Sequence, residues 1–239
     1  IPVLAVVAQL TSWRWSLGGL GVLSAGFAVA VMRRLEPDPA HSTDGKRDRL
    51  VGLARTMPIY AAVGCMMTGA QSVVIVFGAW LEDIHRFSTA AIGGIAFLLG
   101  AGELVASTST IRLTDRLGKR RAVVLGLGLM APAAALLAAF NEQVVAGIAL
   151  LVMFVIGFEF ALVSILPLVG ELHPEARATS IGIGFGFGTL GRGAGAAVST
   201  WLYSSHGMGS SAIVGAGMAI ASALFVLVGG KRAESHIAA

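Results

Sequence analysis

Three charged residues stand where charge is costly. Glu103, Glu159 and Arg192 each lie alone in an otherwise uncharged apolar stretch: 87–111, 143–170 and 178–203 respectively. If those stretches are membrane helices, each charge costs about 2.5–3.5 kcal/mol at a helix centre, and such residues mark ion pairs, proton relays or substrate contacts. At a rise of about 1.5 Å per residue, both glutamates fall roughly 20 Å below one membrane face and Arg192 roughly 20 Å above the other, so all three reach the middle third. A carboxylate desolvated among apolar groups holds its proton more readily than one in water, which suits it to load and release a proton near neutrality. A guanidinium nearby opposes that effect, so the set reads either as a switching pair or as a structural ion pair.

A second group sits between two apolar runs. In "TDRLGKRRAVVLG" (114–126), Asp115, Arg116, Lys119, Arg120 and Arg121 fall within seven residues, and 122–140 carry no charge. Four bases in six positions suit a membrane-flanking turn that meets anionic lipid. A tight turn cannot present a groove-reading element, so nucleic acid is not an expected partner. The five histidines (His41, His85, His173, His206, His236) fall outside the apolar stretches with no ligand spacing, and no metal or cofactor is expected. Cys65 is the single cysteine, inside an apolar stretch, and reads as an inert thiol. Gly186, Gly188 and Gly191 spell a dinucleotide-binding pattern, but without the strand and acidic residue that pattern requires. They belong instead with Gly184, Gly188, Gly191 and Gly195, one helical stripe at small-xxx-small spacing.

The elements that must hold these residues follow from composition. The chain is 56% hydrophobic and 13% charged, against roughly 25% charged in a soluble domain. Stretches 16–32, 58–81, 122–140 and 207–230 carry no Asp, Glu, Lys or Arg. With the three singly charged stretches they make seven segments near the ~20 residues that cross a bilayer, and 1–10 reads as the tail of an eighth. The expected fold is an all-α polytopic membrane protein, since lipid leaves no partner for an open strand edge. The chain opens on Ile1 within an apolar run and is expected to be part of a longer protein.

Charge orients the segments. If connections alternate sides, one set (33–57, 112–121, 170–177 and 231–239) holds fourteen of the seventeen basic residues, and the other holds only Arg14 and Arg86. The basic set is expected to face the cytoplasm, with the C-terminus, in a cell (inner) membrane. Trp13, Trp15, Trp80, Trp201 and Tyr203 fall at the expected outer ends of spans, as amphipathic rings at headgroup level should, and Tyr60 at an inner end. The longest polar segment, 33–57, reads as a cytoplasmic linker. It divides 1–32, the end of one helix and a second helix, from a six-helix bundle at 58–230, with a tail at 231–239. Pro132 and Pro167 lie within spans, and Pro58 is placed at a helix start.

The basic turn resembles the cytoplasmic-loop signature of the major facilitator superfamily: Leu113, Asp115, Arg116, Gly118, Lys119 and Arg120 match it, with Ile111 in place of its leading glycine. "SWRWSL" (12–17) resembles the turn between that family's fifth and sixth helices, and "LHPEARATSIGIGFGFGTLGRGAG" (172–195) the entry to its glycine-rich eleventh. The drug:proton antiporter and arabinose-efflux-like branch is the most similar. The resemblance implies a bundle comprising the end of the fifth helix, the sixth, and helices seven to twelve. It implies a partner in the N-terminal half of the same protein, with the glycine stripe as the sliding interface between halves.

It also implies which residues work. The seventh and tenth helices of the family line the central cavity, which makes Glu159 the leading proton-coupling residue, with Glu103 and Arg192 beside it. Gln71, Phe158 and Phe160 become substrate-contact candidates, whereas Met66 and Met67 read as core. The expected function is secondary active transport, not enzymatic catalysis: proton-coupled efflux of drug-like or small metabolite substrates by alternating access. A sugar or organic-anion carrier of the same superfamily, or a non-transporting membrane receptor or scaffold, is the alternative.

Overall fold

The β-branched run Val73-Val74-Ile75-Val76 interrupts the first long helix of the bundle, because such side chains are crowded in a helical turn. The computed structural model, which describes residues 12–34 and 53–237, accordingly has α2 (Leu53–Val74) and a short α3 (Phe77–Asp83) in nearly continuous succession. Before them comes α1 (Trp13–Arg34), and after them α4 (Thr89–Leu117), α5 (Lys119–Phe140), α6 (Val144–Glu171), a 3-10 turn (Pro174–Ala176) and α7 (Arg177–Ile237). Among the described residues every regular element is helical. Five stretches are long and apolar enough to cross a membrane: Leu53–Asp83, Thr89–Thr110, Lys119–Phe140, Val144–Glu171 and Arg177–Gly229. The last folds back on itself at Gly207 (φ 72°, ψ −169°), giving two arms, 177–206 and 208–237.

Side-chain contacts sort the turns into two ends. At one end the Gly118 turn meets the α6–α7 connection through a Lys119–Glu171 ion pair. Thr56 meets His173 there at 3.1 Å, and Arg120 donates to the carbonyls of Val226 (3.1 Å) and Leu227 on the second arm of α7. At the other end, Trp80 Nε1 and His85 Nε2 both donate to the Asn141 carbonyl at 3.0 Å. Tyr203 there donates to Asp83 at 2.8 Å. The spans therefore alternate in direction along the chain, as the charge pattern requires.

Small residues let the helices approach backbone to backbone, the driving contact where lipid supplies no hydrophobic force between helices. A Cβ on Gly126 would stand 2.6 Å from the Ala161 nitrogen, and one on Gly157 2.7 Å from the Met130 nitrogen, so α5 and α6 touch along their main chains. Three buried serines knit α2 to both arms of α7: Ser72 donates to the Gly69 carbonyl at 2.8 Å, Ser199 donates to the Ser72 carbonyl, and the Ser199 and Ser211 hydroxyls share a hydrogen bond at 2.8 Å.

Several expectations are revised. The segment 112–121 is not a loop: α4 runs through Leu117 and α5 begins at Lys119, leaving Gly118 alone to turn the chain. Its φ of 82° with ψ of 140° is a conformation glycine alone adopts readily. Pro58 lies inside α2, which begins at Leu53, rather than at its start. Trp80 and Tyr60 are fully buried, not lodged among headgroups, whereas Trp15 (74% exposed) and Trp201 (65%) are free to sit there. From Gly18 to Arg34 every residue of α1 is exposed, an apolar surface that lipid or a further helix must cover. The expected helix tail at 1–10 and most of the linker, at 35–52, lie outside the described residues.

Candidate functional site

Helical period places Glu103 and Ser107 one above the other on α4, and α4 lies alongside α6 in the same direction. Gly102 makes the approach close, since a Cβ there would stand 3.4 Å from Ile156 of α6. One turn on, Ser107 Oγ donates to Glu159 Oε1 at 2.6 Å, and two further turns on Thr114 and Ser164 share a hydrogen bond at 3.0 Å. The Glu159 carboxylate is half-buried; Glu103 is exposed on the same side of the bundle. A hydroxyl given to an ionised carboxylate at that distance is among the stronger hydrogen bonds a protein makes.

Arg192 reaches the same region from the first arm of α7. Its neighbour Gly191 fits so tightly on the Gly64 carbonyl of α2 that a Cβ would overlap it, and Gly188 packs on Met67 and Val63. That contact sets Arg192 over Met67, whose sulfur accepts from Nε at 3.3 Å. Thioether sulfur is a weak acceptor, so the guanidinium is lightly held. Glu103 interacts electrostatically with both Glu159 and Arg192. Glu103 on α4 thus lies within electrostatic reach of Glu159 on α6 and of Arg192 on α7.

Beside them is a cavity of about 330 Å³ between α2, α6 and the first arm of α7. Val63 and Met67 form one wall, Leu162 and Ile165 a second and Phe185 a third, while Arg192 stands in the lining as its only charged side chain. Leu162 is three residues along α6 from Glu159, so the carboxylate lies about one turn from the cavity wall.

The other candidates divide. Met66 is core, fully buried; Met67 is buried too, yet lines the cavity and holds Arg192. Phe158 is 7% exposed and packs in the apolar core, Phe160 is half-buried, and neither lines the cavity. Successive helical residues point about 100° apart, so residues flanking an inward-facing Glu159 turn away from it. Gln71 is half-buried, one turn beyond Met67 and outside the cavity lining. The glycine stripe does form a helix interface, but within this bundle: Gly191 and Gly195 abut the Gly64 and Thr68 carbonyls of α2, and Gly184 meets Val169 at 3.0 Å. Occluded by α2 and α6, these four cannot be the sliding surface toward another half.

In the signature turn, Gly118 supplies the reversal, Lys119 the ion pair with Glu171, and Arg120 the tether to α7, while Arg116 is exposed. The Asp115 side chain is outside the described set. Ser107 was not singled out from the sequence, although its i+4 spacing from Glu103 was there to be read.

No curated protein matches the chain. The sequence profile of the Major Facilitator Superfamily matches residues 1–161 and again 59–238, so that 59–161 fall under both matches. Together they run over nearly the whole chain, and the all-helical, repeatedly membrane-crossing bundle agrees with them. The chain belongs to the Major Facilitator Superfamily.

Proposed function

We propose that this secondary transporter couples the movement of a drug-like or small metabolite substrate to protons. Glu159 is the proton-carrying group, Glu103 and Arg192 its electrostatic partners, and the neighbouring apolar cavity is part of the substrate path. The observation that carries the reading is Glu159 of α6, held by Ser107 about one turn from a cavity that Arg192 lines. Alternating access then follows from rocking of this bundle, residues 58–230, against an N-terminal half. The Gly118 end and the C-terminus face the cytoplasm, with the protein in the inner membrane, a reading that the basic turns support. Export in exchange for protons is the direction that the resemblance to drug:proton antiporters favours.

The test is reconstitution of the protein in vesicles containing a pH-sensitive dye. Ethidium, decanoate and glucose are presented in turn, under an imposed pH gradient. Glu159→Gln is expected to abolish proton-driven flux while leaving substrate exchange across the vesicle wall intact. Unchanged gradient-driven flux in that variant rules Glu159 out, and no flux of any probe with the bundle and its N-terminal half together supports a receptor or scaffold.

A further inference from the structure

We propose that the cavity selects small amphipathic anions: a carboxylate or sulfonate seated on Arg192, with its apolar body between α2, α6 and the first arm of α7. This rests on the reading of that cavity as part of the substrate path, and it names the substrate class. Size comes first, because about 330 Å³ is near the lower end of the ~300–1,000 Å³ usual for ligand pockets, which suits a single short chain or small ring system. Shape and polarity come second. The side chains in contact with the cavity are Val, Leu, Ile, Met and Phe, apart from Thr189 and Arg192. An apolar body gains there by leaving water, and a sugar would find almost no hydrogen-bond partners.

Charge decides the class. The carboxylates Glu103 and Glu159 face the region from α4 and α6, but neither lines the cavity, and Glu159 already accepts the Ser107 proton. Arg192 does line it, exposed, with five N–H donors, and among the described residues only the Met67 sulfur accepts from one of them. A guanidinium fork matches a carboxylate or sulfonate in bidentate geometry, a match that no amine or alcohol makes. A cationic amphiphile would meet that positive charge at the end of an apolar wall and be repelled.

The experiment is equilibrium binding of radiolabelled decanoate to the detergent-purified protein by scintillation proximity. Competition uses decanesulfonate, decanol and decyltrimethylammonium, which share one tail. Saturable decanoate binding competed by decanesulfonate alone is expected. Arg192→Gln should weaken it about tenfold or more, Arg192→Lys less, and Leu166→Trp, which fills the open side of the cavity, should weaken it with the thermal unfolding temperature unchanged. Equal competition by decanol or decyltrimethylammonium overturns the proposal, as does decanoate binding that survives Arg192→Gln at full strength. Because binding is read without flux, Arg192-dependent decanoate binding beside absent transport would count against the transport reading alone. Gradient-driven flux of ethidium without decanoate binding would count against the anion alone.

Discussion

Ser107 and Glu159, 52 residues apart in sequence and on different helices, are joined by a 2.6 Å hydrogen bond in which the hydroxyl donates to Oε1. The bond fixes one carboxylate oxygen against α4. Ser107 thereby positions the group on which proton coupling is proposed to turn.

Ser107→Ala is expected to slow proton-driven flux about tenfold, the loss of one hydrogen bond to a charged group being worth about 1.5–3 kcal/mol. Ser107→Thr keeps the hydroxyl and should restore most of the rate. Initial rates in vesicles at fixed gradient measure this, and equal rates in the alanine and threonine variants contradict a positioning role for the hydroxyl.

The turn at Gly118 makes a second, independent prediction. A Cβ there meets nothing within 4 Å, so only the backbone conformation opposes a side chain. Gly118→Ala should cost about 1–3 kcal/mol, whereas Gly128→Ala, also in open space but inside α5, should be neutral or stabilising by about 0.4–1 kcal/mol. Thermal unfolding in detergent, the two variants side by side, tests the contrast.

What could be read from the sequence, and what could not, divides along physical lines. The helical state of the apolar segments and their alternation follow from hydropathy and charge, which each segment carries by itself. The run of α4 through Leu117 does not, because charged residues at a membrane end do not stop a helix and only Gly118 does. Trp80 reads as an interfacial ring until Gly147, on another helix, is seen to leave room for its six-membered edge at 2.9 Å from a would-be Cβ. The partner of the glycine stripe was hidden in the same way. Gly64 and Thr68 carry small-xxx-small spacing of their own on α2, but spacing does not say which helix answers which.

That stripe yields a third prediction. Gly191→Ala would drive a methyl into the Gly64 carbonyl, and main chain cannot yield as a side-chain tip can; Gly193→Ala meets nothing within 4 Å. The first should lower the unfolding temperature sharply, or prevent folding, by separating α2 from the first arm of α7. The second should leave it within about 0.5 kcal/mol of the unaltered protein. Equal stability of the two would mean that α2 and α7 do not meet at Gly64 and Gly191.

Tyr60 and Ser180 give a fourth, through an asymmetry in hydrogen-bond accounting. Both are fully buried. Ser180 gives its one proton to the Val169 carbonyl at 2.7 Å, so in the 2.6 Å contact between the hydroxyls Tyr60 is the donor. Tyr60→Phe removes the donor and leaves Ser180 satisfied, at about 0.5–1.5 kcal/mol. Ser180→Ala leaves the Val169 carbonyl with the Leu172 N–H at 3.3 Å but strands the buried phenol, and should cost more, about 1–3 kcal/mol. Denaturation in detergent should rank the serine variant as the weaker, and the reverse order would assign the donors wrongly.

The last prediction concerns the membrane itself. Lys119 pairs with Glu171 at the Gly118 end, and Glu142 follows Asn141, the acceptor of Trp80 and His85 at the opposite end. Between them α5 spans 22 residues, or about 33 Å at 1.5 Å per residue, close to the thickness of the hydrocarbon core. In a Cys65→Ala background, single cysteines at 119 and 142 should react with a membrane-impermeant maleimide from opposite sides of sealed vesicles of uniform orientation. In right-side-out vesicles position 142 should label at once and position 119 only after the membrane is opened. Labelling of both from one side would mean that α5 does not cross the bilayer, and the charges placed on its neighbours could not meet at mid-membrane depth.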